Sequence, residues 1–328
     1  MVHLIVGPQH HGVVRFGLEL NAALVAGGYA VAERRTLGAV PPGRGVHLQF
    51  TDRLFGADAE QAAAIVSDLA AEVRRGGGRI TGTLHDLPQP ADRAHYAVRA
   101  RAYVLLSAAL DGVVVNSEHE RLLLYDIGVR ESVTVIPLPI VAPAARSSST
   151  PTGPLSVAVF GFVYPDKGHA EVLEAMRRLP PAVQMMAIGE PSTGHDDLID
   201  GFVRIARTQG RPFVVTGRIP DDTVVSILQG VTVPVVAHRH MSASGSLNSW
   251  ISAGRRPLVS GTRYVREIAR RNPGALWLYD DDELSLSAAI RVAIDEPSST
   301  WLPPDTVCSP SPAQAADSYR RLWDSVHG

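Results

Sequence analysis

The chain alternates between short apolar segments, which are typical of buried strands, and longer segments with helical periodicity. The alternation begins at residue 2, stops in a stretch rich in Pro, Ser and Thr at residues 141–154, and resumes at residue 156. Because repeated strand–helix alternation places helices on both faces of a parallel sheet, each half predicts one doubly wound sheet. A length of 328 residues is enough for two such domains.

The predicted architecture is α/β, with two doubly wound Rossmann-like domains that face each other across a cleft. Residues 1–140 form the first domain, residues 141–154 a hinge linker, and residues 155–310 the second domain. Residues 311–328 form an amphipathic helix that packs across the domains, and the sequence leaves open on which of the two it lies. Ligands of open α/β sheets bind beyond the carboxyl ends of the strands, so the loops at those ends are the candidate sites.

The individual elements follow from periodicity and from Gly and Pro boundaries. The predicted strands are residues 2–6, 29–34, 46–50, 79–84, 112–116 and 133–137, then 156–160, 183–188, 213–216, 231–237, 256–259 and 275–279. The predicted helices are residues 13–26, 60–75, 92–110 and 118–125, then 168–179, 198–209, 221–229, 246–253, 265–272, 283–295 and 312–327.

Composition disfavours several classes of function. The formal net charge is −2 and no basic run carries interleaved aromatic residues, which disfavours nucleic acid as a partner. The single cysteine, Cys308, rules out an internal disulfide and a cysteine metal cluster, and no other metal-ligand spacing is present. The apolar runs are too short to span a bilayer, and the N-terminus lacks the features of a signal peptide. We therefore expect a cytoplasmic protein without a metal site.

Lys167 is the only lysine among 31 basic side chains. It lies in a turn between a predicted strand and a predicted helix, where a phosphate would meet the amides of the helix N-terminus. The lysine ammonium is a compact charge on a flexible stem, unlike the planar fork of arginine. Position and rarity favour a functional role over the alternative, a solvated lysine in a polar turn.

Two further loops of the second domain have the chemistry of a nucleotide site. After the strand at 213–216, Gly217, Arg218 and Ile219 offer exposed backbone and an apolar side chain, which suits a nucleobase. After the strand at 231–237, Arg239 precedes a Ser/Gly-rich turn that opens a helix. Free amides at residues 245–247 would point at an anion with Arg239 beside it, which is the chemistry of a diphosphate site.

In the first domain, His10, His11 and Gly12 lie between the first strand and the first helix, where an anion would meet the helix dipole. The loop is neither Gly-x-Gly-x-x-Gly nor a P-loop, which disfavours a dinucleotide and the common nucleotide hydrolases. Simple turn polarity explains the two histidines equally well.

Two more loops of the first domain carry polar side chains. His85 and Asp86 directly follow a predicted buried strand. Asp86 could hydrogen-bond the imidazole and fix its tautomer, or it could cap a helix. Such an imidazole can contact a sugar hydroxyl or orient a leaving group. Farther on, Ser117 opens a helix in a capping box, and Glu118 and His119 follow it toward the expected cleft.

Taken in order, these loops resemble the nucleotide-sugar glycosyltransferases of the GT-B fold, specifically the retaining, family-4-like group that includes bacterial mannosyl- and glucosyltransferases. The matching segments are residues 11–13, 83–86, 111–118, 135–139, 161–168, 217–222, 244–247 and 253–259. The resemblance implies that the first domain binds the acceptor and the second the sugar nucleotide, that the anomeric configuration is retained, and that neither metal nor cofactor is needed beyond the nucleotide diphosphate sugar as co-substrate.

The resemblance also assigns roles to residues. The implied catalytic residues are His85, Lys167 and Arg239. The implied donor-binding residues are Gly161, Phe162, Gly217, Arg218, Ile219, Ser244, Gly245, Ser246, Leu247 and Asn248. The implied acceptor-binding residues are His10, His11, Gly12, Asp86, Glu118 and His119. A glycan, a lipid and a small molecule all remain open as acceptor, and so does a peripheral membrane contact.

The chain departs from the family pattern at three positions. Phe162 stands where the family has an arginine, and Met241 and Ser249 stand where it has two glutamates separated by seven residues. Ser244, Asn248 and backbone amides are then expected to bind that end of the donor. The first hypothesis is a glycosyltransferase that uses a UDP- or GDP-sugar. The departures motivate a second, a non-catalytic relative that scaffolds or regulates a partner enzyme, and a sugar-nucleotide epimerase or a phosphorylase is a third and weaker one.

Overall fold

The computed structural model describes residues 1–130, 133–146 and 153–327. Residues 147–152 of the predicted linker and residue 328 of the predicted C-terminal helix lie outside the described residues. The chain divides into two compact units, Met1–Pro139 with Pro310–Gly328, and Ile140–Ser309.

Twelve strands form the two sheets. They are β1 (Val2–Leu4), β2 (Ala32–Arg34), β3 (Val46–Phe50), β4 (Ile80–Leu84), β5 (Gly112–Val115), β6 (Val133–Val135), β7 (Ser156–Phe160), β8 (Gln184–Ile188), β9 (Phe213–Val215), β10 (Val233–Val236), β11 (Leu258–Ser260) and β12 (Trp277–Tyr279). All pairs between them are parallel, in the order β2-β1-β3-β4-β5-β6 in the first unit and β12-β11-β10-β7-β8-β9 in the second. The predicted α/β class with two doubly wound sheets is confirmed.

The helices connect these strands. They are α1 (Gly12–Ala26), α2 (Asp52–Phe55), α3 (Ala59–Arg75), α4 (Tyr96–Ala109), α5 (Glu118–Asp126), α6 (His169–Met176), α7 (Asp197–Thr208), α8 (Val224–Gly230), α9 (Gly245–Ser252), α10 (Arg263–Arg271), α11 (Glu283–Asp295) and α12 (Pro312–His327). Short 3₁₀ turns stand at Pro90–His95, Asp221–Thr223 and Pro297–Thr300.

Two helix predictions were wrong in detail. No helix was predicted directly after β3, where the structure has the four-residue helix α2, which is too short to show a periodicity in sequence. The single helix expected at 92–110 is a 3₁₀ turn followed by α4, because Arg93 has a φ of 53° that interrupts the helix.

The C-terminal helix α12 lies on the first unit. Its apolar face packs with α1 in one buried cluster, in which Tyr319 and Trp323 are fully buried against Phe16, Leu20 and Leu24. Burial of two large aromatic side chains stabilises this unit by several kcal/mol, at about 2 kcal/mol or more for each. The chain therefore returns to the first unit to complete its core.

Candidate functional site

The second sheet contains a reversal of strand order between β7 and β10. From this point the chain adds β8 and β9 on one side and β11 and β12 on the other. The connections after β7 and β10 therefore leave the same sheet edge as neighbours and diverge, which is the position where open α/β sheets bind ligands. The loops that hold Lys167 and residues 238–248 are the two loops at this point.

Lys167 is buried here, with 7% of its surface exposed. Its Nζ donates a hydrogen bond of 2.9 Å to Ser246 Oγ and lies 5.7 Å from the ring centre of Tyr164. Burial lowers the pKa of the amine to about 8, so the group is still mainly an ammonium at neutral pH. No carboxylate among the described residues forms an ion pair with it. A buried ammonium in this state favours an anion as its partner.

Gly168 fixes the turn that carries this lysine. Its φ is +101°, and a Cβ there would lie 2.6 Å from backbone and side-chain atoms of Ala237 at the end of β10. The amide of Arg239 also donates to the carbonyl of Asp166 at 3.3 Å. A side chain at residue 168 would push the two loops apart, so glycine is required for the contact between Lys167 and α9.

The N-terminus of α9 supplies polar groups beside the lysine. Ser244 is the N-cap, and its Oγ accepts a hydrogen bond of 3.1 Å from the amide of Leu247. The expectation that the Leu247 amide is free was therefore wrong, because the cap uses it. The amides of Gly245 and Ser246 have no hydrogen-bond partner among the described residues. One ammonium and two helix amides are groups that suit an anion as ligand.

Arg239, which the sequence predicts to lie beside these amides, forms an ion pair with a carboxylate. Its Nε is 3.0 Å from Glu171 on α6, and 56% of its side chain is exposed. The neighbouring His238 is near Tyr164, with Nε2 3.4 Å from the phenol oxygen. Burial, and then the charge of Lys167, lower the pKa of His238 to about 3, so this imidazole is neutral.

The loop after β9 is tied to the loop after β7 through β8. Gly189 follows β8 with a φ of +141°, and a Cβ there would lie 2.2 Å from the carbonyl oxygen of Gly161. The Gly189 amide in turn donates to Thr216 Oγ1 at 3.0 Å. Beyond Thr216, Gly217 has a φ of +65° and open space on its Cβ side. The three loops thus form one connected edge.

The remaining predicted donor residues differ in exposure. Arg218 is exposed, Ile219 and Phe162 are half-buried, and Asn248 is buried. These residues are far apart in the sequence, but all of them follow strands at the carboxyl edge of the same sheet. Phe162 follows β7, Arg218 and Ile219 follow β9, and Asn248 follows β10.

Met241 and Ser249, which stand where the resembling family has two glutamates, both make contacts within the protein. Met241 is 2% exposed and belongs to an apolar cluster with Leu247 and Trp250. The hydroxyl of Ser249 donates back to the carbonyl of Gly245 at 3.0 Å. The structure therefore uses residue 241 for packing and residue 249 for a bond within α9.

In the first unit, strand order reverses between β1 and β3, and the predicted histidine loop follows β1. His11 is the N-cap of α1, and its Nδ1 accepts a hydrogen bond of 3.3 Å from the amide of Val13. Burial lowers the pKa of His11, with the charge of Asp86 acting against this. His10 and Gly12 are exposed. Capping gives His11 a structural role at an edge that is also the expected ligand position.

His85 is buried directly after β4, and its partner is Gln49 on β3. The ring Nε2 and Gln49 Oε1 are 2.8 Å apart. Phe16 packs edge-on against the ring at 5.6 Å, and the Tyr103 hydroxyl donates to the His85 carbonyl at 2.9 Å. Burial lowers the pKa of His85 to about 3.

Asp86 has neither of the structural roles considered for it. It is exposed, with a φ of 49°, and the next helical turn has Gln89 as its N-cap. Gln49 occupies ring nitrogen Nε2 of His85, and among the described residues no hydrogen bond joins the Asp86 carboxylate to either ring nitrogen. Arg99 holds the backbone of this loop: it donates to the Asp86 carbonyl and forms an ion pair of 2.8 Å with Asp52.

In the loop after β5, Ser117 is the N-cap of α5, as predicted. Ser117 Oγ accepts from the amide of Glu120 at 2.9 Å, and the Glu120 carboxylate accepts from the amide of Asn116 at 2.6 Å. Glu118 is exposed and forms an ion pair with Arg121, with 2.6 Å between the charged atoms, and His119 is half-buried. Capping accounts for Ser117 and Glu120.

Sequence reasoning missed Gln49 and Tyr164. Gln49 and His47 are spaced by two in the otherwise apolar strand β3, and period two in a strand puts both side chains on one face. That pattern was the available signal for a polar layer. Tyr164 is three residues before Lys167 in the same turn, but only folding brings it to His238.

Within the part of the chain that the structure describes, no three His, Cys, Asp or Glu side chains come together as a metal site. The described helices include none that combines the length and the apolarity needed to cross a bilayer.

No protein-family model and no curated protein matches this chain. Solved structures do match it. HepE of Anabaena, solved with UDP-glucose, has a TM-score of 0.71 at 13% identity, over 100% of this chain and 97% of its own. Sucrose-phosphate synthase of Thermosynechococcus elongatus has a TM-score of 0.66 at 14% identity, over 99% and 96%. A glycosyltransferase of Rickettsia africae has a TM-score of 0.67 at 9% identity, over 99% and 97%.

At these identities the likeness establishes the architecture. The likeness extends over 99–100% of this chain and so includes both six-stranded sheets. The chain has the α/β GT-B fold of these glycosyltransferases.

Proposed function

We propose that this protein is a glycosyltransferase that transfers a sugar from a UDP- or GDP-sugar to an acceptor hydroxyl, with retained configuration and without a metal. The observation that carries the proposal is Lys167, a buried ammonium 2.9 Å from Ser246 at the strand-order reversal of the second sheet. Several structures of the same fold contain UDP or UDP-glucose, which supports a nucleotide sugar as ligand.

In this reaction the bond between the anomeric carbon and the β-phosphate oxygen breaks, and its electrons leave with the nucleoside diphosphate. The acceptor oxygen forms the new bond to the same carbon and its proton is released. Lys167 and the amides of Gly245 and Ser246 would stabilise the charge on the departing diphosphate, which is usually the largest catalytic contribution. Arg239 would join them through its remaining N–H groups, since its Nε is paired with Glu171.

The proposed donor site extends along the same sheet edge. Gly217 and Ile219 offer backbone and apolar contact for the base, while Gly161 and Phe162 flank the lysine turn. In the first unit, His85 would accept a hydrogen bond from a sugar hydroxyl. The loops of the first unit that contain residues 10–12, 86 and 118–119 would contact the acceptor.

The direct test is a calorimetric titration of the protein with UDP, GDP, ADP and dTDP in buffer that contains a chelator. We expect one of the first two to bind, and Lys167→Met to weaken that binding about 10- to 100-fold, as loss of a charged hydrogen bond does. Arg270→Gln, which changes an exposed basic residue on α10 outside the predicted donor loops, should have a much smaller effect. A wild-type protein that binds none of the four nucleotides would contradict the proposal.

A second candidate is a non-catalytic relative that scaffolds or regulates a partner enzyme. The observation in its favour is Met241, which is packed in the apolar core where the resembling family has a glutamate. Turnover of a nucleotide sugar that is lost in Lys167→Met would eliminate this candidate. Tight nucleotide binding without turnover toward any acceptor would support it.

A further inference from the structure

A chain of four hydrogen bonds crosses the interior of the first unit and ends at His85. His85 Nε2 is 2.8 Å from Gln49 Oε1, and Gln49 Nε2 is 2.9 Å from His3 Nε2. His3 Nδ1 is 2.6 Å from Asn21 Oδ1, and Asn21 Nδ2 is 3.3 Å from Glu33 Oε2. The four members from His85 to Asn21 are buried, and only the Glu33 end reaches solvent.

The carboxylate at one end sets the direction of every bond. An ionised carboxylate only accepts, so Asn21 must turn its NH₂ group to Glu33 and its carbonyl oxygen to His3. His3 then donates from Nδ1 and is left with a lone pair on Nε2, toward which Gln49 can only donate. The carbonyl oxygen of Gln49 therefore faces His85, and His85 must carry its proton on Nε2.

This logic requires neutral imidazoles, and the surroundings provide them. Burial lowers the pKa of His3 to about 4 and that of His85 to about 3. The other ring nitrogen of His85, Nδ1, has no hydrogen-bond partner among the described residues and is not one of the fully buried atoms. His85 thus presents a single acceptor lone pair at the carboxyl edge of the first sheet.

We propose that Gln49 is a positioning residue that holds His85 in its Nε2–H tautomer, so that Nδ1 accepts a hydrogen bond from a hydroxyl of the bound sugar. The inference rests on the proposed function only for the identity of that hydroxyl. Without Gln49, the proton would move to Nδ1, because an N–H left unpaired in the interior is costly whereas Nδ1 reaches the edge of the sheet. His85 would then offer a donor where the sugar needs an acceptor.

The tautomer can be measured without any substrate. In ¹⁵N-histidine-labelled protein at pH 7.5, two-bond ¹H–¹⁵N spectra distinguish the two tautomers, and His85→Gln identifies the signal. We expect the Nε2–H form in the wild type and the Nδ1–H form in Gln49→Met. An Nδ1–H ring in the wild type would overturn the proposal, and this measurement decides it even where Gln49→Met fails to fold.

Gln49 should affect the affinity for the nucleotide sugar but not the affinity for the nucleoside diphosphate. By calorimetry, Gln49→Met should lower affinity for UDP-glucose or GDP-mannose, whichever the wild type binds, about fivefold or more, the equivalent of one hydrogen bond. Affinity for the matching nucleoside diphosphate should change less than about twofold, because it lacks the sugar. Thr81→Val is the matched control, since it removes the 2.8 Å bond to His47 from the same buried layer without touching this chain.

The two proposals fail separately. Equal losses for the nucleotide sugar and for its diphosphate, or an equal loss in Thr81→Val, would overturn the positioning role. A wild type that binds neither nucleotide sugar would contradict the proposed function, while the tautomer spectra would still decide whether Gln49 sets the proton position.

Discussion

Replacement of Lys167 by methionine should stabilise the second unit while it weakens nucleotide binding. The reason is that Lys167 is kept charged in a place that disfavours charge. Its pKa is about 8 in the folded chain against 10.5 in the unfolded chain, and burial causes the difference. At about 1.4 kcal/mol per pH unit, the buried ammonium costs roughly 3 kcal/mol of folding free energy at neutral pH.

Methionine has a similar volume and carries no charge, so it removes this cost. It also removes the hydrogen bond to Ser246, which contributes about 1 kcal/mol. The expected net gain in the free energy of unfolding is therefore about 2 kcal/mol, or roughly 4–8 °C in the Tm of a unit of this size. The gain should be largest below pH 8. As the pH rises toward 10.5 it should give way to a loss of about 1 kcal/mol, because the wild-type amine is then uncharged in both states and only the lost hydrogen bond counts.

Calorimetric scans and urea titrations at pH 7 and pH 10 measure both parts of this prediction. Three of the four tryptophans, Trp250, Trp277 and Trp301, lie in the second unit, so tryptophan emission mainly follows that unit. Arg239→Gln is the control, because its exposed ion pair should contribute less than about 1 kcal/mol. A Lys167→Met protein that is less stable than the wild type at pH 7 would refute the reasoning.

Three further outcomes are expected. Affinity for the nucleoside diphosphate should be constant below pH 8 and fall up to tenfold per pH unit above it, because Lys167 loses its proton. Calorimetric titrations from pH 6 to pH 10 measure this dependence. An affinity that does not change with pH would exclude the ammonium as the binding group. Gly168→Ala should unfold the second unit or cost more than about 3 kcal/mol, whereas Gly217→Ala, also at positive φ but facing open space, should cost about 1 kcal/mol by urea denaturation. Acid should destabilise the first unit between pH 6.5 and pH 4 by roughly 3 kcal/mol for each of His3 and His85, because both imidazoles are neutral in the folded chain and take up protons on unfolding. His3→Gln should reduce this change in the free energy of unfolding with pH.

Local sequence patterns were sufficient for most of the fold. Each predicted strand has a counterpart, and Val46–Phe50 and Ser156–Phe160 match to the residue. Strands buried on both faces show as apolar runs, and Gly or Pro marks their ends, so this information is contained in a few neighbouring residues. The four-residue helix α2 and the break at Arg93 were not predicted, because neither produces a periodic pattern in the sequence.

The sequence also placed the candidate side chains on loops that follow strands. Lys167 was singled out by its rarity and its turn, and Ser244 was expected at a helix start. What the sequence could not supply was the partner of each group. Arg239 forms an ion pair with Glu171, and His85 forms a hydrogen bond with Gln49 rather than with Asp86. Both pairs join segments that are distant in the chain, so local sequence patterns do not show them.

By itself, then, the sequence determined the order of strands and helices, the division into two α/β units, and which loops carry polar chemistry. The tertiary structure alone decided that Lys167 is buried beside Ser246, that the last helix completes the first unit, and that one orientation of Gln49 is compatible with its neighbours. The physical reason is that burial and hydrogen-bond pairing depend on strand order in the sheet. Strand order follows from packing over the whole domain and leaves no trace in any short stretch of residues.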